Sequence, residues 1–251
     1  MLIFIFQTGK AQVRLSKLEL KPHEKFTFAQ TDILVVDTLI MHDSSSLFLN
    51  MDKAENYIHA KKMIVAKGCS INGYAKNGKQ GKTGEEGFSQ QAPCRSGLPG
   101  KTGFAGEPGM NAVTLSLYLN DLRIYGSLTI NLNGGDGGKG GRGGKGGDGG
   151  AGTRVCRAGN GADGGDGADG GSGGKGGTLN ISCKGCNDIH LMMDHQLIVK
   201  NYGGFGGLGG DGGLGGQAGL GPVVDGKNGK KGREGAHAPD GKVGTINIIH
   251  N

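Results

Sequence analysis

From Gly134 to Ala151 the chain repeats Gly-Gly-X six times without interruption, and 56 of its 251 residues are glycine. Ordinary chains carry about 7 %. A period of three fits neither the α-helix nor the pleated strand. It fits the left-handed polyproline-II helix, which has about 3 residues per turn, a rise of about 3.1 Å and no hydrogen bonds of its own. Each edge of such a helix carries every third residue. An edge of glycines lets another backbone come close enough to satisfy the unpaired N–H and C=O groups.

The runs come as three pairs. Residues 78–87 and 97–109 flank Cys94, and residues 134–152 and 161–177 flank Thr153–Arg157. Residues 203–221 and 226–235 flank Pro222–Asp225. Each pair reads as a climb, a tip and a return. Between pairs the pattern changes to β-branched and alternating apolar residues, the period of a strand, as in Val113–Leu119, Ser127–Asn133, Thr178–Ile181, Gln196–Asn201 and Thr245–Ile249. Excursions leave after Asn72, Asn133 and Asn201 and return near Thr114, Thr178 and Thr245, an internal repeat of one strand block plus one excursion.

The expected fold is all-β: a parallel β-solenoid-like base with three out-and-back excursions forming a six-helix polyglycine-II bundle. One domain covers 12–251, with its strand base at about 12–72, 113–133, 178–201 and 244–251 and its Gly-rich arms at 73–112, 134–177 and 202–243. Gly-Gly-X arms have two bare edges and Gly-X-Y arms one. Arms 134–152, 161–177 and 203–216 are therefore expected inside the bundle, and 78–87, 97–109 and 226–235 at its periphery.

The formal net charge is +6, with acids and bases interspersed through the triplets. Lys139, Arg142 and Lys145 are expected to be answered by Asp163, Asp166 and Asp169 on the return arm. Tryptophan is absent and the basic residues are not segregated, so no nucleic-acid partner is expected. Residues 1–11 read as a signal-peptide remnant, an apolar stretch ending in small residues at Gly9 and Ala11. Its Lys-Ala-Gln ending resembles signal peptides of Bacteroidota. The expected location is the periplasm, outer-membrane periphery or cell surface, with no transmembrane segment.

Five cysteines suit an exported chain with one or two disulfides. Cys94 and Cys156 lie at tips, whereas Cys69, Cys183 and Cys186 lie in the strand base. Tip-to-base bridges would have to cross a whole arm, so the base cysteines are the preferred candidates and connectivity is otherwise open. Cys183 and Cys186 with His190 and His195 have the wrong spacing for a zinc finger. A redox C-x2-C role needs a helix N-terminus, which this strand-like stretch does not offer. Asp188, His190, Asp194 and His195 are the nearest approach to a catalytic face, but Asp188, His190 and Met192 read more simply as one strand face. No catalytic residue, metal or cofactor is assigned.

Two features remain for binding. The tips present Cys94, Arg154, Cys156, Arg157, Val223 and Val224. Phe205, Leu208, Leu214 and Leu220 share one triplet frame with Asp211 and Gln217, which makes an apolar stripe either buried against the bundle or exposed as a partner surface.

Paired Gly-rich arms alternating with strand blocks resemble, in pattern only, the polyglycine-II bundles of phage long tail fibre tip adhesins and of the snow flea antifreeze protein. The resemblance implies a rigid bundle whose loops or flat faces bind a receptor or a surface. The functional expectation is a non-enzymatic exported scaffold or adhesin-like protein of a bacterial envelope. Its partner would be a protein, a glycan or a larger outer-membrane assembly. The rival readings are an ice- or surface-binding protein and a solenoid enzyme acting on polysaccharide.

Overall fold

The computed structural model describes residues 12–28, 31–186, 189–193 and 195–249, without the side chains of 190 and 191. The residues read as a signal-peptide remnant lie outside them. Among the described residues eleven strands form two parallel sheets. One holds β1 (Gln12–Leu20), β3 (Ile33–Met41), β5 (Glu55–Val65), β7 (Thr114–Ile124), β9 (Leu179–Cys183) and β11 (Ile246–Ile249), in that order. The other holds β2 (Lys25–Thr27), β4 (Ser46–Phe48), β6 (Cys69–Asn72), β8 (Leu128–Asn131) and β10 (Leu197–Lys200). Each of the first five coils takes one strand from each sheet, and β11 begins a sixth, which is the arrangement of a parallel β-solenoid.

Identical positions stack from coil to coil. Leu34, Ile58, Leu117 and Ile181 are in register and buried, as are Leu47, Ile71 and Ile130 in the second sheet. Pairing in the first sheet passes over Asp37, Lys61 and Asn120, and the buried residues there fall three apart: Val36 and Leu39, Ala60 and Met63, Leu119 and Leu122. The long strands β1, β3, β5 and β7 therefore turn a corner at that point and give the first four coils a third side. At the next corner His23, Ser44 and Gly68 have φ of 61°, 57° and 69°, the left-handed region that turns the chain into the second sheet.

Coils one to three are joined at the remaining corner by short links, 28–32 and 49–54. The excursions replace that same link in later coils, leaving after β6, β8 and β10 and returning into β7, β9 and β11. The hydrogen-bond ladder does not stop where the strands end. Gly73 N–H donates to Asn131 O and Ala75 N–H to Asn133 O, one bond every second residue. From Gly78 to Asp136, Gly81 to Lys139 and Gly84 to Arg142 the bonds recur every third residue. The second sheet thus runs on as a layer of outward arms 1 (73–90), 3 (134–152) and 5 (203–221). The first sheet runs on as a layer of returning arms 2 (97–112), 4 (159–177) and 6 (226–244).

Inside the solenoid a side-chain core separates the sheets. Beyond it, glycine lets the two layers bond directly. A Cβ on Gly73 would lie 2.8 Å from Leu49 Cδ1 and from Val113 Cγ2, at the last layer of that core. Further out there is no core. Ala168 N–H reaches Gly141 O at 3.0 Å, and a Cβ on Gly144 would meet Glu85 O at 1.9 Å.

Arms 3 and 4 each bond to four others, arms 2 and 5 to three, and arms 1 and 6 to two. Arm 2 corrects the expected order: one glycine per triplet is enough for three neighbours. Its X residues reach both neighbours through the backbone, as Lys101 does in donating its N–H to Glu85 O and accepting Gly144 N–H, and the Lys101 ammonium also pairs with the Glu85 carboxylate.

Candidate functional site

The three tips meet at the end of the arms farthest from the solenoid. Cys94, at φ 65°, donates its N–H to Ala151 O at 2.8 Å and forms a disulfide with Cys156 across a Cα–Cα distance of 6.0 Å. This bridge ties the first tip to the second. The second is tied to the third, since Arg157 Nε donates to Asp225 O at 3.3 Å and Gly152 N–H to Leu220 O at 2.8 Å. Asp225 spends its carboxylate on its own turn, accepting Gly221 N–H at 2.9 Å.

Arg154, Val155, Cys156, Arg157, Val223 and Val224 line a shallow pocket on this end, with Val155 94 % exposed. Arg95 adds a third tip arginine, its backbone fixed by Gly150 N–H on its carbonyl at 2.8 Å. Val155 and Arg95 complete a basic, apolar surface that sequence reasoning did not assemble, because the turns are short and nothing in them shows which tips will touch.

The stripe is exposed. Phe205 is 73 % and Leu214 52 % accessible, with Leu208 and Leu220 alike, and Tyr202 extends the row toward the solenoid. It lies beside the X residues of arm 3, which lock it in register: Asn133 Oδ1 accepts Tyr202 N–H, Asp136 Oδ1 accepts Phe205 N–H and Asp148 Oδ1 accepts Gln217 N–H, at 2.7–3.0 Å. The Gln217 N–H, and then Lys145, hold the Asp148 carboxyl below its ordinary value of 3.8.

The expected cross-arm charge pairs do not form. Arm 3 turns its X side chains to the outward layer, where Lys139 meets Asp211 at 3.6 Å and Lys145 meets Asp148 at 3.1 Å. Asp163, Asp166 and Asp169 face the other way. They accept backbone N–H from Lys230, Arg233 and Ala236, each at 2.7 Å. Aspartate at these positions is thus a second acceptor beside the carbonyl ladder, satisfying the donor that the triplet geometry leaves over.

Cys183 and Cys186 form the second disulfide, which occupies both sulfurs of the C-x2-C pair. Cys69 takes no part in a bridge. It is buried as a free thiol, with Sγ 3.1 Å from His42 O. After Cys186 the chain enters a single helical turn, α1 (Ile189–Met192), in place of the strand face expected there. Asp188, Asp194 and the side chain of His190 lie outside the described residues. Among those residues no group of three His, Cys, Asp or Glu is placed to hold a metal, and no helix is long and apolar enough to cross a membrane. In comparisons with known proteins, the chain matches no family model and no curated protein.

Proposed function

We propose that the six arms form a polyglycine-II bundle and that the protein is a non-enzymatic, exported scaffold or adhesin-like binding protein of a bacterial envelope. Its distal tips and outward face meet a protein or glycan partner there. The observation that carries this reading is the inter-arm ladder, with bonds every third residue through all six arms and three tips fastened together at its far end. Such a ladder holds the tips on a rigid shaft, so little ordering entropy opposes binding. Two disulfides favour an oxidising compartment.

Amide hydrogen exchange tests the bundle. Protection is expected at the first two residues of each triplet along arms 3 and 4, whose N–H groups donate to different neighbouring arms, and free exchange throughout 134–177 would refute it. Capture from an isolated envelope fraction tests the role. Replacing Arg154 and Val155 together by Ser should abolish partner recovery at unchanged melting temperature. Undiminished recovery would remove the tips from the reading.

A further inference from the structure

A cleft lies on the outer face of the first sheet, remote from the tips. β7 runs to Ile124, but its neighbour β9 ends at Cys183, opposite Leu119. The chain keeps pairing for two residues more. Lys184 N–H donates to Leu119 O at 3.1 Å and Gly185 N–H to Asn120 O at 2.8 Å, before the Cys183–Cys186 bond turns it away. A step results, and a shallow cleft lies along it, lined by His59, Tyr118, Leu119, Asn120, Ser182 and Lys184.

His59, Tyr118 and Ser182 are partners in register on three adjacent strands, so their side chains stand in one row on the outer face. The Tyr118 and His59 rings meet edge to face with centroids 6.4 Å apart, leaving Tyr118 partly exposed. Beside this row runs a polar one, in which Asn247 Nδ2 donates to Asn180 Oδ1 at 2.8 Å and Asn180 Nδ2 to Ser116 Oγ at 3.2 Å. Among the described residues the cleft lining holds one ammonium and no carboxylate. Three acids of the first sheet are engaged elsewhere: Asp121 with Arg123, Asp37 with Lys61, and Glu55 with the Tyr57 hydroxyl.

We infer that this cleft binds an acidic polysaccharide, with the Tyr118 ring against a sugar face and Lys184 Nζ on a uronate carboxylate, and that the Cys183–Cys186 bond holds Lys184 in place. An aromatic face suits the C–H side of a pyranose, and a charged donor strengthens the bond to a carboxylate. A phosphate ligand fits less well, because the Lys184 and Gly185 N–H groups that would cradle it are already bonded to β7. A shallow cleft along a strand end suits a chain ligand rather than a small molecule.

Titration calorimetry with a hexameric oligogalacturonate, an equally long neutral cello-oligosaccharide and inorganic polyphosphate tests the site independently of the tips. The uronate oligomer should bind at least about ten-fold tighter than either alternative. Lys184→Gln and Tyr118→Ala should each weaken it about ten-fold or more, a change of about 1.4 kcal/mol, at unchanged melting temperature. The tip variant above should bind it normally. Replacing Cys183 and Cys186 together by Ser should also weaken binding. Equal affinity for the neutral chain, polyphosphate binding as tight as uronate, or an unaffected Lys184→Gln would each overturn the proposal.

Discussion

At single residues, two kinds of position do the structural work of the arms. Inner glycines admit a neighbouring carbonyl where any Cβ would sit. Gly144→Ala places its methyl 1.9 Å from Glu85 O, a backbone atom that cannot swing aside. It is expected to cost at least about 1–3 kcal/mol, read as a fall in melting temperature that Lys139→Ala, on the exposed X edge, does not produce. The X-position acids act as backbone acceptors. Asp148 is the case with a pH signature. Its folded carboxyl titrates below the ordinary 3.8, so its contribution is present above that value and is lost as pH falls through the folded pKa. Asp148→Asn should melt slightly lower than the parent at pH 7, by less than about 1 kcal/mol for so exposed a pair. The gap should close below about pH 4.

At the scale of elements, arm composition is matched to arm position. The most connected arms, 3 and 4, follow Gly-Gly-X or Gly-Ala-X, while flanking arms 1 and 6 place Lys79, Lys82, Lys231 and Glu234 on edges where a further arm would otherwise add. Charged edges of this kind serve as they do on exposed strands, blocking lateral growth. The disulfide between tips closes a loop of 62 residues in the unfolded chain. Cys94→Ser with Cys156→Ser should therefore lower stability by about 2–4 kcal/mol, with exchange rising first at the tips. The apolar stripe behaves differently. Because Leu208 and Leu214 are exposed, changing both to Ser should shift stability by no more than about 0.5 kcal/mol per site, while partner recovery falls if the outward face is an interface. A loss of several kcal/mol would show that the stripe is packed in solution.

For the whole molecule, the solenoid and the arms are two regimes of one ladder. In the first, burial of stacked Leu, Ile and Val supplies the stability. Ile71→Ala, at a fully buried position, should cost about 2–5 kcal/mol. In the second, apolar burial is nearly absent and backbone bonding takes its place. Coils one to three close with short links, so excising 134–177 and joining the ends by a link like 49–54 should leave strand circular dichroism intact while the remaining arms lose exchange protection. Loss of the strand signal as well would show that the solenoid depends on the arms.

The sequence by itself determined the two periods, the places where one gives way to the other, and hence the parallel strand base and the three excursions. Periodicity is local, and hydrogen-bonding need follows directly from it. The distal valines and arginines and the apolar frame 205–220 were legible on the same ground. What only the tertiary structure decided is everything that depends on which edges meet. Arm 2 gains a third neighbour because its X residues meet arms 1 and 3 through backbone N–H and C=O. Asp163, Asp166 and Asp169 cap N–H groups rather than lysines because the two layers face opposite sides. Cys94 finds Cys156 because a bond needs Cα atoms about 6 Å apart, a distance set by how two tips fall side by side and written in neither tip. The cleft beside Lys184 exists because β9 stops before β7, a difference in length between strands 64 residues apart that becomes a surface only when they pair.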